Sequence, residues 1–174
     1  MRSLANIDKI KEFMRLFGRS GRTESRVYFT GGATAVLFGW RDSTVDVDIK
    51  FIPDSDELFR AIPAIKERLM LNVELASPPD FIPTVPGWET RSQFIEREGN
   101  VSFYHYDIYS QALSKLERAH AQDLDDVKSM IELGLIEREK LSDLFSQIEA
   151  QLHRYPAINP ATFARSVQNI LSER

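Results

Sequence analysis

The 174-residue sequence predicts an α/β (α+β) fold, a small mixed β-sheet flanked by helices and followed by a C-terminal helical part. Three observations carry that prediction. Short runs bounded by turn residues, at 26–30, 45–52, 71–75, 91–96 and 101–109, have the length and pattern of strands. Stretches with apolar residues at every third and fourth position alternate with the first three of these runs. From Gln111 onward only the helical period remains. That change sets a soft boundary near residue 110, between an α/β core over 1–110 and a helical extension over 111–174, expected to pack on the core as one structural unit.

Leu4, Ile7, Ile10, Phe13 or Met14, and Phe17 recur at helical spacing, with Ser3 placed to cap this first helix and Gly18 to close it. The strand Arg26 to Thr30 follows. Gly31-Gly32 then lets the backbone turn sharply into a short apolar helix over about 33–38 that stops at Gly39. Trp40 to Thr44 forms a loop. Val45, Val47 and Ile49 alternate with Asp46 and Asp48, and Pro53 ends that strand. Asp54 or Ser55 caps the next helix, striped by Leu58, Ala61 or Ile62, Ile65 and Leu69, and Pro63 predicts a kink or interruption in it. Leu71, Val73 and Leu75 point inward from a third strand that shows Glu74 on its other face. Pro78, Pro79, Pro83 and Pro86 argue against a regular element before Gly87-Trp88. Arg91 to Glu96 and Val101 to Tyr109 make a hairpin around Glu98-Gly99-Asn100. Leu113 and Leu116, Val127 and Met130, Leu144 and Ile148, and Phe163 and Val167 mark four later helices.

The chemistry is concentrated in the bend and the strand after it. A strand that turns into a helix through two glycines leaves free N–H groups and the positive end of a helix dipole at one spot, which suits an anion. Thirteen residues on, alternation places Asp46 and Asp48 on one strand face, where two carboxylates can grip a divalent cation that also bridges phosphate oxygens. Together they point to phosphoryl or nucleotidyl transfer.

Composition narrows the partners. A 43% hydrophobic content is enough to bury a core, and a net charge of −4 gives no footprint for tight, nonspecific nucleic-acid binding. A nucleotide is therefore the expected ligand, with no DNA. The absence of cysteine excludes disulfides, thiolate metal sites and thiol nucleophiles. Residues 3–18 are studded with charge and lack a leader's apolar run, and no segment approaches membrane-spanning length. A cytoplasmic protein is expected.

Thr30-Gly31-Gly32 and Asp46-Val47-Asp48-Ile49 resemble the hallmark of the polymerase-β-like nucleotidyltransferase superfamily: a hydrophobic-Gly-Gly/Ser turn, a gap of about a dozen residues, and Asp-hydrophobic-Asp-hydrophobic. Thr30 departs from it by taking the usually apolar first position. More narrowly, Lys115-Leu116-Glu117-Arg118 and Asp123-Leu124-Asp125-Asp126 look like a pattern of small bacterial nucleotidyltransferases related to abortive-infection toxins. The resemblance spans about residues 26–130. It implies a nucleotidyltransferase-like core, Mg²⁺ (or Mn²⁺) at Asp46 and Asp48, a nucleoside triphosphate held by the glycine turn, and an antitoxin protein as partner. A third carboxylate is expected from a neighbouring strand, to complete a second metal site or to accept a proton from the attacking hydroxyl, with Glu74 the candidate by element order and Asp107 its competitor. Thr34, Arg41 and Ser43 are candidate phosphate contacts, each with an alternative reading as a loop or helix-start residue. Lys115 and Arg118 share a helix face, as do Asp123 and Asp126; the four either reach the triphosphate or pair with one another. The expected reaction is metal-dependent transfer of a nucleoside monophosphate to a hydroxyl on a small molecule, a protein or an RNA end. An inactive nucleotide-binding module and a metal-dependent phosphohydrolase are the alternatives.

Overall fold

The structure, a computed structural model, describes residues 3–173. Two compact units form: the chain up to Ser77 together with Ser92–Tyr106, and Pro78–Arg91 together with Asp107 onward. The proline-rich stretch thus belongs with the helices, and the chain changes unit at Asp107.

The first unit contains the helices α1 (Ile7–Ser20), α2 (Gly31–Phe38) and α3 (Asp56–Leu69). Its strands are β1 (Ser25–Thr30), β2 (Asp46–Ile52), β3 (Asn72–Leu75), β4 (Gln93–Glu98) and β5 (Val101–His105). The strands form one mixed sheet in the order β3-β2-β1-β5-β4. β1 runs antiparallel to β2 and parallel to β5, β2 runs parallel to β3, and β4 and β5 form the expected hairpin. Alternation divides the sheet into two faces. Val27, Phe29, Val47, Ile49, Phe51 and Phe103 fall on one face, in a core with Ile10, Phe13 and Phe17 of α1 and Leu58, Ile62 and Ile65 of α3. Burial of that apolar surface, worth roughly 1.5–3 kcal/mol for each large side chain, holds the register that decides what the other face displays.

Several local expectations are corrected by packing. Asn6, not Ser3, caps α1, its side chain accepting from Lys9 N at 3.0 Å. Gly18 lies within that helix because a Cβ there would meet Glu98 Cβ at 2.4 Å, so it permits close approach of β4 and does not end the helix. Ser55 is the cap of α3, which runs through Pro63 without interruption. Pro63 sits on the exposed side of the helix. Leu75 is 48% exposed, because β3 is a short strand at the sheet edge.

The second unit is helical: α4 (Trp88–Arg91), α5 (Ile108–Arg118), α6 (Ala121–Glu132), α7 (Arg138–Glu149) and α8 (Pro160–Ser172), with single 3₁₀ turns at Pro78–Asp80 and Leu152–Arg154. Arg91 therefore ends a helical turn and does not start a strand. The predicted stripes are buried here at Leu113, Leu116, Val127, Met130, Ile148 and Phe163. Among the described residues no helix is long and apolar enough to cross a membrane.

Candidate functional site

The parity of β2 buries Val47 and Ile49 completely and turns Asp46 and Asp48 to the opposite face, half-buried. Register then selects their neighbours. Parallel pairing puts Asn72 beside Asp46 and Glu74 beside Asp48, while antiparallel pairing puts Thr30 across from Asp48. A row Glu74–Asp48–Thr30 therefore crosses the sheet, with Asn72–Asp46 as the row next to it. Asn72 Nδ2 donates to Asp46 Oδ1 at 2.5 Å and to Glu74 Oε1 at 2.8 Å. The amide oxygen in that place would face two carboxylates, so electrostatics demands the donor edge.

The glycine bend meets this row. Gly31 opens α2 at a φ of +60°, and a Cβ there would lie 3.1 Å from Asp48 Oδ2. The first turn of the helix and one carboxylate thus stand side by side. At Gly32 a Cβ would fall 1.9 Å from Thr44 Oγ1, so the loop before β2 presses directly on the bend. Thr30 Oγ1 donates to Ala76 O at 3.2 Å, tying the end of β1 to the residue after β3. Thr30, Gly31, Gly32, Asp46, Asp48 and Glu74 are in this way brought to one end of the sheet. Arg41 and Ser43 occupy the loop between α2 and β2, both partly exposed.

Thr34 is turned away from that mouth. It is fully buried; its hydroxyl donates to Phe29 O at 3.3 Å and lies 3.1 Å from His105 Nδ1, so the phosphate contact expected of it is not available. His105 stacks on Phe38 with ring centroids 4.3 Å apart, and burial pushes its imidazole down to about 4. The ring is neutral at physiological pH.

The remaining charged candidates lie in the helical unit and meet one another. Lys115 Nζ donates to Asp126 Oδ2 at 2.8 Å and lies 3.9 Å from Asp123 Oδ1. Arg118 grips Asp123 through two bonds of 2.8 and 2.6 Å, and His120 N adds a third at 3.2 Å. Burial pushes the Asp123 carboxyl up, but Arg118, Lys115 and the His120 amide together hold it below the ordinary range. Of the two readings for this quartet, mutual pairing between α5 and α6 is the arrangement present. Asp107 caps α5, accepting from Tyr109 N, Ser110 N and Ser110 Oγ, and takes a forked bond from Arg91 at 3.0 and 2.8 Å. Those bonds account for its burial.

Asp46 and Asp48 offer oxygen donors only, the hard ligand set that Mg²⁺ and Mn²⁺ prefer. Among the described residues no three His, Cys, Asp or Glu form a ready-made metal cage. Mg²⁺ in phosphate-transfer sites is held by one or two carboxylates plus the phosphates themselves. The donor set fits such an ion. A separate surface hollow of about 350 Å³, lined by Arg26, Ile52, Arg97 and Tyr104 among others, opens at the far end of the same strands and contains none of these carboxylates.

Two residues of the site, Asn72 and Thr44, belong to no motif. Asn72 has the parity of Glu74 in a strand whose other parity is apolar, so its place on the carboxylate face was available from alternation. Its partners were not. Compared with known proteins, the chain matches from residue 4 to residue 167 the family described as "Nucleotidyltransferase of unknown function (DUF6036)". No curated protein and no solved structure matches it.

Proposed function

Because the chain belongs to this nucleotidyltransferase family, we propose that it transfers a nucleoside monophosphate from a nucleoside triphosphate to a hydroxyl acceptor, with Asp46 and Asp48 as the ligands of Mg²⁺ or Mn²⁺. The observation that carries the reading is the approach of Gly31 to Asp48, since it sets a helix N-terminus beside the cation ligands. The amides at the start of α2 take phosphate oxygens, and the permissive Gly31 and Gly32 let the phosphates come close to the backbone. When bound, the ion neutralises triphosphate charge and polarises the reacting phosphoryl group. Glu74, exposed beside Asp48, accepts the proton of the attacking hydroxyl. The acceptor oxygen bonds to the α-phosphorus as the bond to the β-phosphate oxygen breaks and pyrophosphate leaves. Such chemistry asks the protein mainly for positioning and charge compensation, which a rigid sheet edge supplies.

The acceptor hydroxyl belongs to a small molecule, a protein side chain or an RNA end, with the acidic balance favouring the first two over a long RNA. A cytoplasmic site of action, where nucleoside triphosphates are abundant, belongs to the same reading. The narrower reading, a toxin held by a cognate antitoxin protein, rests on the likeness of the Lys115 to Asp126 segment. Growth arrest on expression that Asp48→Asn relieves would support it, and unaffected growth would count against it.

The test of the reaction incubates the full chain with each α-labelled triphosphate, Mg²⁺ or Mn²⁺, and cell extract. Label moves to an acceptor, and Asp46→Asn with Asp48→Asn lowers that transfer by a factor of about 100 or more with little change in thermal midpoint. Transfer that survives in the double variant removes the site. Release of free phosphate in place of label transfer favours a phosphohydrolase, and nucleotide binding without turnover favours a regulatory module.

A further inference from the structure

Asn72 is only 7% exposed, yet its single amide nitrogen serves two carboxylates, one hydrogen to Asp46 and the other to Glu74. In a two-ion centre the space between such carboxylates is where a cation is held. Here a neutral amide stands in it. Resting on the transfer reading above, we propose that Asn72 divides the three carboxylates between two tasks: Asp46 and Asp48 make one cation site, and Glu74, kept off the ion by the amide, takes the acceptor's proton.

The geometry supports each half. Asp46 spends Oδ1 on Asn72 and shares its sheet face with Asp48. Glu74 spends Oε1 on the same amide, which leaves Oε2, on an exposed residue, for the hydroxyl proton. Asn72 itself opens β3 across from Asp46, and its backbone register with β2 fixes where the amide stands. It is a positioning residue. An amide suits this place better than a fourth carboxylate because it attracts both neighbours and carries no charge to be offset by a second ion.

The test titrates Mn²⁺ alone into the full chain and follows the free ion by electron paramagnetic resonance. The unaltered chain binds one ion. Glu74→Gln keeps the affinity within about twofold while lowering kcat by roughly 100-fold or more at little cost in KM for the triphosphate, as loss of a general base requires. Asp48→Asn weakens the ion at least about tenfold, and Asn72→Ala weakens it several-fold because Asp46 is no longer aimed. Should Asn72→Ala fail to fold, Asn72→Asp carries the same question: a carboxylate in the gap gives up both donated hydrogens and raises the count to two ions. No Mn²⁺ or two ions on the unaltered chain, equal losses in Glu74→Gln and Asp48→Asn, or an Asn72 variant with unchanged count and affinity overturn the proposal, while the label-transfer assay decides the transfer reading on its own, since there the triphosphate also holds the ion.

Discussion

Replacing Gly32 with alanine tests the construction of the site at its tightest point. The new methyl would stand 1.9 Å from Thr44 Oγ1 and 2.6 Å from Thr44 Cβ. Non-bonded heavy atoms rest about 3.5–4.0 Å apart, so the overlap with the hydroxyl oxygen is about 1.5 Å and something must move. Thr44 is poorly placed to yield. It is buried, its hydroxyl donates to Asp46 O at 3.1 Å, and its backbone exchanges bonds of 2.7 and 2.9 Å with Ala5. Overpacking of this kind costs about 1–3 kcal/mol, which in a chain of this size lowers the thermal midpoint by about 2–12 °C. Thr44→Gly removes the atoms that clash, so combining it with Gly32→Ala recovers about 1 kcal/mol in a double-mutant cycle followed by calorimetry. Label transfer by Gly32→Ala falls further than stability does, since the displaced loop leads straight into Asp46. An unchanged midpoint for Gly32→Ala, or the absence of coupling to Thr44→Gly, would refute the close approach and with it the placement of the carboxylate strand beside the bend.

Other consequences follow from the same arrangement. Lys115→Met leaves Asp126 buried without its cation and costs about 3–5 kcal/mol in denaturant unfolding, while Lys115→Met with Asp126→Leu recovers most of that loss. A neutral single variant would show that the pair is not buried. Asp107→Ala removes the α5 cap and leaves the Arg91 guanidinium without its carboxylate, costing about 2–4 kcal/mol, yet label transfer per folded molecule stays at the level of the unaltered chain. Activity falling as it does for Asp48→Asn would instead make Asp107 the third carboxylate. His105 is held near 4 when folded against 6.5 when free, so its neutral form stabilises the fold fully above pH 6.5. That contribution drains away as the pH falls, by about 3 kcal/mol at pH 4, and His105→Phe flattens this limb of the stability curve. A variant with the same acid limb would assign it to other groups.

Much of the site was legible because its pieces are local. Alternation across Val45–Ile49 is enough to put both aspartates on one face, and two glycines after an apolar run are enough to predict a bend into a helix, since period and backbone freedom depend on adjacent residues. The same holds for Gly39, which ends α2 in the left-handed conformation its position demanded. Gly18 and Leu75 were misread for the complementary reason. Whether a glycine ends a helix or admits a neighbouring strand, and whether a strand residue lies in the core or at an edge, depends on elements far away in the chain.

The sequence by itself determined the order of strands and helices, the face on which Asp46 and Asp48 stand, and the glycine bend ahead of them, because each is dictated by residues within a few positions of one another. Tertiary structure alone decided that Asn72 bridges Asp46 and Glu74, that Thr34 turns inward to His105, and that Lys115 and Arg118 are spent on Asp126 and Asp123. Those contacts depend on strand register and on which helix faces meet, and burial of the apolar faces sets both.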